Sequence, residues 1–335
     1  MRLLILLLAA LTAACALPVT PTPPGAPHSE QPHFTVASFV ADDGAYLPMR
    51  SWLPAPPMRT KAVILALHGF NDYSNSFAGP GEAWAKHGIA TYAIDQRGFG
   101  AAPDHGLWAG VPRMTEDADE AAAALRTRHP GVPLYLLGES MGGAVAIVAA
   151  AGRPDDPPPP VAGLILEAPA VWGRDTMNVF ERVALFFAYR TVPGMTLTGR
   201  GLGIKPSDNI EMLRALGRDP LVIKETRVDA IKGLVDLMDD ATEAAPRLTT
   251  PMLFLYGERD ELIPKNATEH FLALLPPDAP RTFAYYPDGY HMLLRDLEAP
   301  LVWRDVEAWI DNPEAPLPSE ADRNAEKKLL AKQRD

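Results

Sequence analysis

Short apolar runs recur along this chain, each too brief for a helix and ended by Gly, Asp or Pro. They are "AVILALHG" (62–69), "IATYAID" (89–95), "PLYLLG" (133–138), "VAGLILEAP" (161–169), "PMLFLYG" (251–257) and "RTFAYYP" (281–287). Runs apolar at consecutive positions bury both faces, as the strands of a central parallel sheet must. Ahead of them, "HFTVASFVADDGAYLPMRSWLP" alternates well enough to predict a hairpin turning at Asp42-Asp43-Gly44. Helical patterns lie between the runs. "RMTEDADEAAAALRTRH" (113–129) is acidic early and basic late, as the helix dipole favours. "MGGAVAIVAAAG" (141–152) is a small-residue helix able to pack closely on a sheet, and "NATEHFLALL" and "PLVWRDVEAWID" follow later. The alternation predicts an α/β chain with a mostly parallel, doubly wound sheet.

Residues 171–245 break this rhythm, showing helical patterns and no clear buried strand. They read as an inserted helical cap, which leaves 34–170 and 246–312 as the core. Phe180, Leu185, Phe186, Phe187 and Tyr189 crowd the start of the cap; they read as its core, or alternatively as the lining of an acyl pocket. Residues 313–335 begin Pro-rich and end charged, predicting a solvated, flexible tail.

The N-terminus carries a pattern of its own. One Arg precedes an apolar run from Leu3 to Ala14, too short to span a bilayer comfortably and suited to the core of a signal peptide over 1–14. Thr12-Ala13-Ala14-Cys15 resembles a bacterial lipoprotein box, in which the cysteine receives lipid. The alternative is an ordinary signal peptide cut nearby, with Cys15 incidental. Cys15 is the one cysteine, so no intramolecular disulfide is possible. Residues 15–33, Pro-rich and polar, then form a tether between lipid and globular body. The lipoprotein resemblance implies a bacterial cell envelope and, with Ala16 rather than Asp after the cysteine, the periplasmic face of the outer membrane if the cell is Gram-negative; the alternative is a secreted, soluble protein.

Composition narrows the function classes. Of 335 residues, 47% are hydrophobic and 22% charged, the balance of a folded globular protein. The net charge of −11 and the absence of a basic stripe argue against nucleic acid as a partner. The oligomeric state is not legible at this level.

The candidate chemistry centres on Gly138-Glu139-Ser140-Met141-Gly142, a G-x-S-x-G placed where a strand pattern gives way to a helix pattern. At so sharp a bend the side chains two before and two after the serine would collide, so Gly138 and Gly142 clear the space and leave the hydroxyl exposed. The bland alternative is a tight turn with a small polar residue in it. A serine nucleophile needs a base, and His291 in "YPDGYHMLL", just after the last predicted strand, suits that role. Asp260, in the loop after "MLFLYG", is the expected carboxylate orienting the imidazole, with Asp288 its rival. The order Ser140, Asp260, His291 is that of α/β-hydrolases rather than of the two common serine-protease plans. Oxyanion donors are expected at the backbone N–H groups of Met141 and Phe70. His68 and Gly69 are expected to brace the turn that carries Phe70.

"HGFND", "DQRGFG" (95–100), "GESMGG", "YGERDELIP" (256–264) and "GYHMLLRD" together resemble the monoacylglycerol lipase and lysophospholipase branch of the α/β-hydrolases, from about Phe34 to Asp311. The resemblance implies hydrolysis of a small amphiphilic single-chain ester through an acyl-Ser140 intermediate, with no metal or organic cofactor. Asn71-Asp72 and Ala101 depart from the branch's usual residues near the entrance. Aminopeptidase or amidase activity and acyl transfer are the enzymatic alternatives, and a non-catalytic envelope binding protein is the remaining class.

Overall fold

The computed structural model describes residues 31–152, 159–199, 201 and 203–330. The leader expected over 1–14, Cys15 and most of the tether lie outside them. The chain opens with a meander of β1 (His33–Phe34), β2 (Ser38–Val40) and β3 (Tyr46–Trp52). Val40 pairs with Tyr46 antiparallel, so the hairpin turns through Asp42-Asp43-Gly44. Strands and helices then alternate through β4 (Ala62–Leu67), α1 (Ala78–Ala85), β5 (Ile89–Ile94), α2 (Val111–Arg128), β6 (Leu134–Glu139), α3 (Met141–Ala151) and β7 (Gly163–Glu167). Next come α4 (Val179–Thr191), β8 (Thr196–Leu197), α5 (Ile210–Arg218), β9 (Thr226–Arg227) and α6 (Val228–Ala244). The chain returns to the sheet with β10 (Met252–Gly257), α7 (Lys265–Leu274), β11 (Arg281–Tyr286), α8 (Ala299–Asp311) and α9 (Ala325–Leu330).

Among the described residues, nine strands form one sheet in the order β1-β2-β3-β5-β4-β6-β7-β10-β11. From β5 to β11 the pairs are parallel, and β3 joins β5 antiparallel. Every residue of β4, β5, β6, β7 and β10 is buried, because helices cover both faces. Alternation within β4 divides the core. Val63, Leu65 and Leu67 face the layer of α2, α3, α6 and α7, while Ala62, Ile64 and Ala66 face that of α1 and α8. Helix α2 starts at Val111, two residues before the sequence pattern, because Pro112 fits the first turn, where its missing N–H has no partner to lose.

Two expectations are corrected. Residues 313–330 do not form a solvated tail: Leu317, Ala321, Ala325 and Leu329 are buried. β11 is an edge strand, and this segment covers it, with Tyr285 N–H donating to Ala321 O at 2.9 Å and Arg281 Nε to Glu326 Oε1 at 2.9 Å. An uncovered edge would leave backbone groups open to any other strand. The phenylalanines of α4 are not cap core either, and Tyr189 is half-buried beneath Lys232 Nζ. Phe180, Phe186 and Phe187 are exposed, and only Leu185 packs on the main cluster, half-buried.

Truncating Leu329 to Ala should cost about 2 kcal/mol of stability through the lost burial, read by urea unfolding. Lys327→Ala, on the exposed side of the same helix, should stay within about 0.5 kcal/mol. Equal, negligible effects would mean that this segment does not pack in solution.

Candidate active site

Ser140 is the one residue between β6 and α3. Its φ of 52° and ψ of −112° lie where a side chain is strained. Backbone hydrogen bonds hold it there: Ser140 N–H donates to Glu167 O at 2.9 Å, and Ser140 O accepts from Ala144 at 3.1 Å and Ala170 at 2.8 Å. The flanking glycines are sterically required. A Cβ on Gly138 would stand 2.3 Å from Gly142 O, and one on Gly142 would stand 2.0 Å from Leu67 O.

His291 and Asp260 come together from the ends of neighbouring strands. His291 Nδ1 lies 2.9 Å from Asp260 Oδ2, with both side chains almost wholly buried. Asp260 Oδ1 accepts from the N–H groups of Leu262 at 2.8 Å and Ile263 at 3.0 Å. A carboxylate so placed is an acceptor, so Nδ1 carries the ring proton and Nε2 presents a lone pair. The two loops approach this closely because position 257 lacks a side chain; a Cβ on Gly257 would stand 2.4 Å from Tyr290 O. Burial works against a charged His291, yet the charge and hydrogen bond of Asp260, helped by Glu139, raise its pKa above the ordinary 6.5. Asp288, the rival acid, is exposed and pairs with Arg259 at the surface.

His68 is fully buried and serves the scaffold. Its Nε2 accepts from Gln96 N–H at 2.9 Å, which leaves Nδ1 protonated to donate to Gly69 O at 2.8 Å. Burial lowers its pKa, so the ring is neutral. Gln96 Nε2 donates to His68 O at 2.9 Å, and the two contacts fasten the loop after β4 to the loop after β5. Among the described residues, neither the Phe70 nor the Met141 N–H donates to a protein acceptor. Asn71 takes a positive φ of 66°, a conformation Asn tolerates better than most residues. The inserted segment grips this loop, through Asn71 Nδ2 on Thr226 Oγ1 at 2.7 Å and Tyr73 OH on Asp219 Oδ2 at 2.7 Å.

Ser140, His291, Gly69 and Phe70 share the wall of a cavity of about 390 Å³. The rest of the lining is mostly apolar, with Trp172, Met177, Ile231, Leu234, Val235 and Met238 contributed by residues 171–245. A larger groove of about 960 Å³ runs between β11 and the C-terminal segment. Arg281, Asp322, Glu326 and Lys327 line it, and neither Ser140 nor His291 does. Among the described residues, no cluster of three or more His, Cys, Asp or Glu side chains is arranged to hold a metal ion.

Sequence reasoning missed the buried charged cluster at and behind the cavity wall. Asp72, Glu139 and Glu167 are buried, and Arg295 pairs with the first two. Burial, then the neighbouring Glu139 charge, push the Glu167 carboxyl well above the ordinary carboxylate range. A signal was available: carboxylates at the ends of the apolar runs "YLLGE" and "LILE" must be buried and therefore need a cation or a proton.

The profile of a family described as serine aminopeptidase, S33 (Hydrolase_4), matches residues 58–298. Human monoglyceride lipase is 26% identical over 294 residues, covering 86% of this chain and 93% of that protein. The monoacylglycerol lipase of Mycolicibacterium smegmatis is 25% identical over 292 residues, covering 82% of this chain and 95% of its own. A soluble variant of monoglyceride lipase from Saccharomyces cerevisiae, solved in complex with a substrate analog, superposes with a TM-score of 0.67 at 19% identity. That match covers 85% of this chain and 98% of the other, and it shows the α/β-hydrolase fold.

In solution the His291 imidazole should titrate above 6.5, measured by NMR of its ring protons. Asp260→Asn should move it below 6.5, because burial then acts with little to oppose it. A folded-state pKa raised above the unfolded value adds stability that is fully present below 6.5. That stability fades as pH rises through the folded-state value. An imidazole titrating below 6.5 in the native protein would contradict the buried pair.

Proposed function

The chain belongs to the serine aminopeptidase S33 family, and on that footing we propose that it cleaves carboxylic esters of single-chain amphiphiles, monoacylglycerols or lysophospholipids, through an acyl-Ser140 intermediate. One observation carries the reading: Ser140 and an Asp260-held His291 open together on the same apolar cavity. His291 Nε2 takes the Ser140 proton as Oγ attacks the ester carbonyl. The imidazolium so formed is stabilised by Asp260. The N–H groups of Phe70 and Met141 receive the developing oxyanion. Collapse expels the alcohol, protonated by His291, and water then repeats the sequence on the acyl-enzyme.

The cavity also favours esters over free N-termini. An aminopeptidase needs a carboxylate available to the substrate's ammonium group. The acids on this wall are Asp72 and Glu139, and both are engaged by Arg295. The apolar lining from the cap suits an acyl chain, and the exposed Phe180, Phe186 and Phe187 suit a surface that meets amphiphile aggregates. Cys15 carries the lipid that tethers the protein to the envelope; the support is the apolar run from Leu3 to Ala14 and the small residues before the cysteine.

A fluorophosphonate probe should label the wild type and not Ser140→Ala, whose kcat should fall about 10⁶-fold. Monoolein, a lysophospholipid and p-nitrophenyl esters of graded length should be hydrolysed, and an aminoacyl anilide should not. Preferential cleavage of the anilide would replace the ester reading with the peptidase one. Bacterial cells given labelled palmitate should incorporate it into the wild type but not into Cys15→Ser. Equal incorporation in both would exclude this anchor.

A further inference from the structure

The reaction as derived leaves one large buried group unused. Arg295 lies four residues beyond His291 and is nearly sealed from solvent, its side chain 10% exposed. Its two terminal nitrogens go to different parts of the chain. Nη1 meets Asp72 Oδ2 at 2.7 Å, and Nη2 meets Glu139 Oε1 at 2.5 Å. Asp72 lies two residues past Phe70, in the loop after β4, and Glu139 immediately precedes Ser140. The backbone around Arg295 is anchored as well. Leu294 N–H donates to Glu167 Oε1 at 2.8 Å, and Arg295 O accepts from Asn209 Nδ2 at 3.0 Å.

Stability alone does not explain this choice. A buried ion cluster seldom outperforms apolar packing of the same volume, because desolvating the charges cancels most of their attraction. A planar fork, however, fixes distance and angle between two carboxylates at once, which a point charge on a flexible stem does not. Here the fork joins the three segments that supply the oxyanion donor, the nucleophile and the base.

We infer that Arg295 is a positioning residue. Its guanidinium holds the Phe70 loop and the Ser140 turn in fixed register with the loop of His291, so that the oxyanion site and the nucleophile stay aligned to the base. The inference rests on the proposed roles of Ser140 and His291. Asp72 and Glu139 line the cavity, but their charges are taken up by Arg295, and they act through the backbone they are attached to.

The test compares wild type, Arg295→Lys and Asp72→Asn with a short p-nitrophenyl ester and with a fluorophosphonate probe. Lys keeps the charge but reaches one carboxylate at a time; Asn cuts only the tie to the Phe70 loop. In folded Arg295→Lys, kcat and the labelling rate should both fall about 10²-fold, the usual effect of misplacing a reacting group by an ångström. KM should stay within about twofold, since Arg295 is not one of the residues lining the cavity. Asp72→Asn should fall in the same direction, and adding it to Arg295→Lys should cost little more, because both remove one tie. Should Arg295→Lys not fold, Asp72→Asn carries the expectation alone. A folded variant with kcat within about threefold of wild type, or a loss that merely tracks the unfolded fraction, would overturn the inference. Failure of the probe to label wild type would instead sink the reading of Ser140 itself.

Discussion

The site depends on one close crossing of backbones. α3 leaves β6 so abruptly that Gly142 lies against the carbonyl of Leu67, at the end of β4, with room for a hydrogen atom and nothing larger. That crossing forces Ser140 into a positive φ and leaves the Met141 amide without an intrahelical partner. Strain at this residue is tolerated because its own N–H and carbonyl are bonded into the β7 segment and α3. The crossing also brings the end of β4 beside the turn, which is how Phe70 comes to share a cavity wall with Ser140.

Electrostatics then distinguishes the acids gathered at the strand ends. Asp260 is held by two backbone N–H groups and the imidazole, so it orients His291. Asp72 and Glu139 share Arg295. Glu167 is driven by burial toward its neutral form, which limits repulsion in a crowded, water-poor place. His68, next to the cavity-lining Gly69, has both ring nitrogens committed to the scaffold, so neither is free to move a proton.

The inserted segment works on two sides. Ile231, Leu234, Val235 and Met238 of α6 close the cavity, while α4 turns Phe180, Phe186 and Phe187 to solvent. The same segment holds the loop after β4 through Asn71 and Tyr73, and the His291 loop through Met292 N–H on Pro206 O at 3.1 Å. Residues 171–245 are therefore tied by hydrogen bonds to the loops that carry the Phe70 amide and His291.

The alternation of elements, the strand-to-helix turn at Ser140 and the candidate partners Asp260 and His291 were legible in the order of residues. Consecutive apolar positions, turn glycines and chain order are local signals that survive without coordinates. Features that depend on distant segments meeting became visible only in the folded chain. Leu317 and Leu329 sit in a stretch whose composition reads as solvated, and they are buried because the β11 edge needs covering. Phe180 and Phe187 read as core and are exposed, since burial depends on what another helix leaves uncovered. Arg295 lies within "GYHMLLRD", where nothing local gives it a role. Only folding brings it between Asp72 and Glu139, because the pairing of buried charges is a property of convergence in space, and local patterning carries no record of it.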